Sequence, residues 1–294
     1  YESDKEGAAA FEYFFKKVQQ KSNKAVWEND MREMHESLEE MSTRVLNALR
    51  DYDAKLLGVK KREDGVFCEI SEFLAMLVNC GDSSPVMLPS GNLDEYLGTN
   101  RLFFGNRSIE SRGARGHKYA GVVSVREYGP STSSGSFDGF LQMPFEFIMT
   151  QSFKFANRTI AISKMQLQQN RMIQSEDKAV SQIVEISQAL DMAMSGDIGF
   201  GDHHISILCI DNDLKALENS LSMAGVELSN CGMQSVRERV NMEPSYWGQL
   251  PGNLDYVVRK STINTLNLAG FASMHNYPPG QVSGNHWGEY VTVL

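Results

Sequence analysis

Along the first fifty residues the apolar positions fall into helical spacing. Phe11, Phe14, Phe15 and Val18 make one short face, and Trp27, Met31, Met34, Leu38, Met41, Val45 and Ala48 then recur at alternating steps of four and three. That alternation holds one stripe on one side of a helix, as an a/d-type seam about three heptads long, with Glu36, Glu39 and Glu40 on the outer faces. Proline is absent and glycine occurs only at Gly7, so the pattern predicts a helical N-terminal hairpin over 1–50. The seam has two readings: the hairpin packs on its own body, or it meets another subunit. In the second, Trp27, Met31, Met34, Leu38 and Met41 are assembly residues.

From Asp51 the period changes to strands punctuated by turns. The pattern predicts a strand near 54–60, a turn at Glu63-Asp64-Gly65, a short strand and a helix over 70–78, with Pro85, Pro89 and Ser90-Gly91 marking a loop. Strand-like runs follow at 101–104, 107–110 and 118–127, then an exposed, linker-like loop at 129–139 and an alternating strand at 145–155. Helical sequence runs from about 158 to 193, broken near Ser175 and ended by Gly196, Gly199 and Gly201. "HHISILCID", 203–211, is apolar on both faces and reads as a central strand. A helix over 212–224, a strand at 226–229 and a helix over 234–242 complete the pattern. The predicted class is α+β: a helical hairpin plus mixed α/β sheet lobes, with βαβ-like units in the second half. The expected divisions are 1–50, 51–156, 157–270, and 271–294 as a connector and first strand of something further.

Composition narrows the classes. A chain of 294 residues is long enough for one or two domains with real cores. Its formal charge of -9 argues against broad attraction to phosphate backbones, so nucleic acid is not an expected partner. No apolar run approaches the roughly 18 residues of a membrane-spanning helix. Cys68, Cys80, Cys209 and Cys231 lack C-x-x-C spacing and read as reduced thiols of a cytoplasmic protein.

Candidate chemistry is sparse. "SGDIGFG", 195–201, lies in the order helix, loop, strand, the reverse of a phosphate-cradling loop. His203 and His204 are adjacent in a strand, so they point to opposite faces and cannot share an ion; satisfied core histidines are expected. Arg101, Arg107, Arg112, Arg115 and Lys118, set against Glu110, form the only basic concentration. It is either a solvated hairpin or, through Arg107, Arg112 and Arg115, a docking site for lipid headgroups, a partner's acidic face or nucleic acid. No nucleophile elbow and no G-x-x-x-x-G-K-[ST] loop occurs; Gly280 and Gly284 have the wrong spacing, and Asn285-His286 replaces Lys-Ser/Thr. No catalytic, cofactor-binding or metal residue is therefore assigned. The stretch His275, Asn276, Pro278, Gly280, Gly284, Asn285, His286, Trp287 and Gly288 suits a coupling joint. Its prolines stiffen the chain, its glycines allow close approach, and Trp287 with Tyr277 offers anchors.

Four stretches in one order carry a resemblance: "FGDHHISI" (200–207), "YWGQLPGN" (246–253), "LAGFASMHNYPPG" (268–280) and "GNHWG" (284–288). Together they resemble the CagE/TrbE/VirB family, the large ATPases of bacterial type IV secretion and conjugation machines. The pairing of HN-Y/F-P-x-G with GNHWG is its specific part, and the similarity reads as strongest over about 196–294 and mainly positional before 150. Gly248 stands where alanine is common, and Gln281-Val282 where basic residues often occur. The resemblance implies that a RecA-like motor with its P-loop follows, that Val291–Leu294 opens the motor's first strand, and that ATP and Mg2+ belong to that absent domain. It further implies a cytoplasmic platform at the bacterial inner membrane, assembled as dimers or hexamers. Its partners would be membrane components of the secretion machine and other secretion ATPases, serving pilus biogenesis and transfer of DNA or protein. Two rivals are a stand-alone metal-dependent enzyme using His203, His204, His275 or His286, and a nucleic-acid-handling module acting through the 101–118 cluster.

Overall fold

The computed structural model describes residues 3–52, 54–88, 90–129, 131–174 and 180–272. They fall in two units, one carrying the N-terminal helix and the other spanning Leu57–Met274. In the first, helix α1 runs unbroken over Ser3–Ala48 and ends in a short 3-10 turn, Arg50–Tyr52. The expected hairpin is thus one helix. Nothing between Gln19 and Val26 interrupts the i→i−4 ladder, and 46 residues at helical rise extend about 70 Å. Its exposed faces carry pairs one turn apart: Asn29 to Glu33 at 2.8 Å, His35 to Glu39 at 3.4 Å and Arg44 to Glu40 at 2.5 Å. Such pairs add about 0.2–0.5 kcal/mol each.

The second unit begins with a hairpin, β1 (Val59–Arg62) and β2 (Gly65–Cys68), followed by α2 (Glu69–Val78) and the single turn α3 (Asp94–Leu97). Its main sheet uses β3 (Arg101–Phe104), β4 (Ile109–Gly113), β5 (Gly116–Glu127), β6 (Glu146–Phe155), β7 (Phe200–Asp211), β8 (Gln234–Arg237) and β9 (Ser261–Asn264). The helices are α4 (Arg158–Gln174), α5 (Val180–Ser195), α6 (Leu214–Asn230), α7 (Met242–Trp247) and α8 (Thr265–Phe271). The α+β class expected from the pattern is the class found.

The order is β3-β4-β5-β7-β6, with β8 also on β5 and β9 also on β7, and all pairs are antiparallel. Val123 pairs with Ile207 on one side and Arg237 on the other, so β7 and β8 flank β5. Both run opposite to β5, hence parallel to each other. The expected βαβ-like unit is therefore β7-α6-β8 with β5 lying between its strands. Because β5 and β6 pair with β7, one sheet crosses the expected boundary between 156 and 157.

In the second unit two elements differ in type from expectation. Residues 226–229 do not form a strand; they continue α6, where Leu217, Leu221, Ala224 and Leu228 are buried at helical steps. Asp213 starts that helix by accepting from the amides of Lys215 and Ala216, both at 3.1 Å, a cap contributing about 1 kcal/mol. The predicted helix over 234–242 is instead strand β8, whose backbone takes the free stretch of β5 beside β4.

The sheet is covered on both faces. One buries Val123, Val125, Ile205, Ile207 and Cys209 beneath α6, together with Phe137, Phe140 and Phe271. The stretch 129–139 is thus not simply exposed: Phe137 stacks on Phe271 at 5.5 Å and closes the core. Here α6 comes so near that a Cβ at Gly121 would lie 2.8 Å from a terminal methyl of Leu221, so a larger residue would have to displace that side chain. The opposite face buries Ala120, Val122, Leu208 and Ile210 against Met242 and Tyr246 of α7.

Candidate functional site

The predicted assembly residues form a continuous exposed stripe on α1. Trp27 is 62% exposed, Met31 48%, Met34 68%, Leu38 60% and Met41 60%, and Val45 extends the stripe. Six large apolar side chains thus stand exposed in one line on a highly charged helix.

The 101–118 basic cluster separates into different settings. Arg112 donates to Glu110 at 2.8 and 3.1 Å and lies over the Phe103 ring at 4.6 Å. The Arg112 hydrogen bond holds the Glu110 carboxyl below the ordinary carboxylate range. Lys118 bridges Asp82 at 3.0 Å and Glu146 at 3.2 Å. Arg115 sits near Asp82; burial alone would raise that carboxyl, but bonds from Asn100 and Lys118, aided by the charges of Lys118 and Arg115, lower it. Arg107 leaves this group and lines a cleft with Arg237 and Arg239. Arg107 therefore has different neighbours from Arg112 and Arg115.

Both histidines are buried, on opposite faces as expected. His203 stacks on Phe271 with rings 3° apart and centroids 5.5 Å apart. The Gln151 amide is oriented by donating to the Phe271 carbonyl at 3.1 Å, so its oxygen faces His203 Nε2 at 3.3 Å. That oxygen only accepts, so Nε2 carries the proton and Nδ1 accepts from the Tyr128 hydroxyl at 2.9 Å. His204 approaches Ser152 Oγ at 3.4 Å. Burial lowers both to about 4; the His204 charge adds to the effect on His203, and the Lys260 charge to that on His204. Both are neutral core groups at pH 7. Among the described residues no cluster of three His, Cys, Asp or Glu is placed to hold a metal. Burial pushes the Cys80 and Cys209 thiols up to about 12, so they stay protonated and unreactive near neutrality.

Several structural residues escaped the sequence reading. Tyr246 and Gln249, in "YWGQLPGN", lock the end of α2. The Tyr246 hydroxyl donates to Val78 O at 2.7 Å and accepts from Cys80 N at 3.1 Å, while Gln249 Nε2 donates to Leu77 O at 3.1 Å. Tyr246→Phe orphans a buried amide and a carbonyl, with an expected loss of about 1–3 kcal/mol. Urea unfolding checks this, and a loss below about 0.5 kcal/mol would show that the hydroxyl is not the lock. Glu238, 2% exposed, receives Arg259 Nε at 2.6 Å and Nη2 at 3.3 Å. The period-two spacing of Arg237, Glu238 and Arg239 was the available signal, since it suits a strand with one face buried. The predicted coupling residues His275, Asn276, Pro278, Gly280, Gly284, Asn285, His286, Trp287 and Gly288 lie outside the described residues.

Residues 55–259 match the CagE, TrbE, VirB family, a component of the type IV transporter system. The chain belongs to this family. The match begins well before residue 150, so the family's signature is not confined to the second half. "FGDHHISI" and "YWGQLPGN" fall inside it; the two stretches after residue 259 fall beyond it. This family member is 38% identical over 257 residues to the type IV secretion system protein virB4 of Bartonella henselae, covering 87% of this chain and 33% of that protein. With the virB4 protein of Bartonella quintana the identity is 37% over 281 residues, 96% of this chain and 36% of that one. The virB4 protein of Agrobacterium fabrum is 36% identical over 264 residues, 90% and 33% respectively. The chain thus spans about a third of the length of the curated relatives it matches. No described helix is long and apolar enough to cross a membrane.

Proposed function

We propose that this chain is the non-motor platform of a type IV secretion ATPase, which assembles through α1 and docks on inner-membrane components of the machine. In this reading ATP and Mg2+ are handled by a motor domain of the longer protein, and the sheet unit is the rigid body that the motor works against. The exposed α1 stripe is the observation that carries it.

The flanks of the stripe are self-complementary. A two-fold antiparallel pairing centred on Glu36 sets Trp27 against Val45, Met31 against Met41 and Met34 against Leu38 of a second copy. It also brings Asp30 to Arg44 of the second copy, twice by symmetry. Each fully buried side chain of this type contributes about 1.5–3 kcal/mol, so six suffice for a stable pair after association costs. The chain is expected to elute with twice its monomer mass in light-scattering chromatography. Met34→Glu with Leu38→Glu, both at exposed positions, should weaken association at least about a hundredfold while leaving helix content unchanged. A wild-type chain that stays monomeric, or a variant that still dimerises, would remove the assembly reading. Steeply salt-dependent binding of DNA by the chain would favour a nucleic-acid role instead.

A further inference from the structure

We propose that the cleft lined by Arg107, Arg237 and Arg239 binds a single phosphate group. Arg107 comes from the turn between β3 and β4, and Arg239 from the residues after β8. Because β4 and β8 take successive stretches of the same side of β5, the fold brings these distant arginines to one hollow. Two carboxylates also line it, and each already has a partner. Glu218 accepts from Arg237 at 2.6 Å, with Ser222 holding the same guanidinium at 2.6 Å, and Glu238 is taken by Arg259. Arg107 and Arg239 have no side-chain partner among the described residues. In a chain of net charge -9, two uncompensated guanidinium groups therefore face one small polar hollow.

Their chemistry and the size of the cleft select the ligand. Two guanidinium forks approaching from different elements supply more N–H donors than one carboxylate can accept, whereas a tetrahedral phosphate offers oxygens to both. The cleft holds about 150 Å³. Sites that enclose a drug-sized molecule run to about 300–1,000 Å³, so this one takes a phosphate and leaves the rest of its bearer outside. The same group could arrive as free or nucleotide-borne phosphate or as a phosphomonoester lipid headgroup.

The test uses the whole chain with inorganic phosphate in one arm and phosphatidylcholine vesicles containing phosphatidic acid in the other. Calorimetry, with ionic strength matched by sodium chloride, measures binding to wild type, Arg107→Gln, Arg239→Gln and the double variant. Both positions are exposed and unpaired, so the variants should melt as wild type does in chloride. Each substitution is expected to weaken binding about tenfold or more, and the pair to abolish it. Binding in both arms points to the phosphate group itself, and binding to vesicles alone identifies the lipid source. No binding in either arm, equal binding by the double variant, or an effect reproduced by chloride would overturn the proposal. The result does not depend on assembly, since Met34→Glu with Leu38→Glu should bind phosphate as wild type does.

Discussion

Arg259→Gln is expected to destabilise the sheet unit by about 3–5 kcal/mol, the cost of stranding a buried charge. Glu238 is nearly inaccessible, both its oxygens are held by Arg259, and its amide is tied to Val122 O at 2.9 Å. Deleting the guanidinium leaves a carboxylate that the backbone cannot turn out to solvent. Removing both charges together, as Glu238→Gln with Arg259→Gln, should recover much of the loss, because two neutral groups carry a far smaller desolvation cost. Urea unfolding of the two single variants and the double variant measures the coupling directly. A single-variant loss below about 1 kcal/mol, or no recovery in the double variant, would mean that the pair is not the constraint described. The pair also has a positional consequence, for Glu238 anchors the chain between Arg237 and Arg239.

Acid is expected to weaken the fold before the carboxylates titrate. An unfolded histidine takes up a proton near pH 6.5, whereas His203 and His204 in the folded chain resist until about pH 4. Between those values the unfolded state holds more protons, so stability is complete above about pH 6.5 and falls as the pH drops toward 4. Each histidine accounts for up to roughly 3 kcal/mol of that fall. Glu69, Asp82 and Glu110, whose pKa values are lowered, begin to lose their contributions only as the pH falls below about 4.5, at the acid end of this window. Unfolding free energies from pH 7.5 to 4.5 should therefore show a slope approaching two protons, and His204→Gln should reduce it by about one. A slope below one proton across this window would contradict the buried, neutral state of the pair.

The legible parts of the fold were those in which neighbouring residues carry the signal. The α1 stripe, β3, β5, β6 and β7, and the burial of the two histidines on opposite faces all follow from local periodicity. The hairpin expectation failed because a change of apolar face within a helical stretch does not by itself break a helix. "VELS" at 226–229 alternates like a strand, yet Leu228 completes a helical face begun at Leu217. "QSVR" has too few residues to set its own conformation and became β8 because β5 had a free length of edge.

By itself the sequence determined the α+β class, the apolar seam on α1, the central place of β7 and the resemblance that the family match upheld. All of these rest on residue types recurring at fixed short spacings, which dihedral preferences and burial convert directly into elements and faces. The tertiary structure alone decided that Arg107 joins Arg237 and Arg239 and parts from Arg112 and Arg115, that Glu238 meets Arg259, and that Tyr246 closes α2. Charges and hydroxyls act over a few ångströms, and their partners are chosen by strand order and register, which no local spacing encodes.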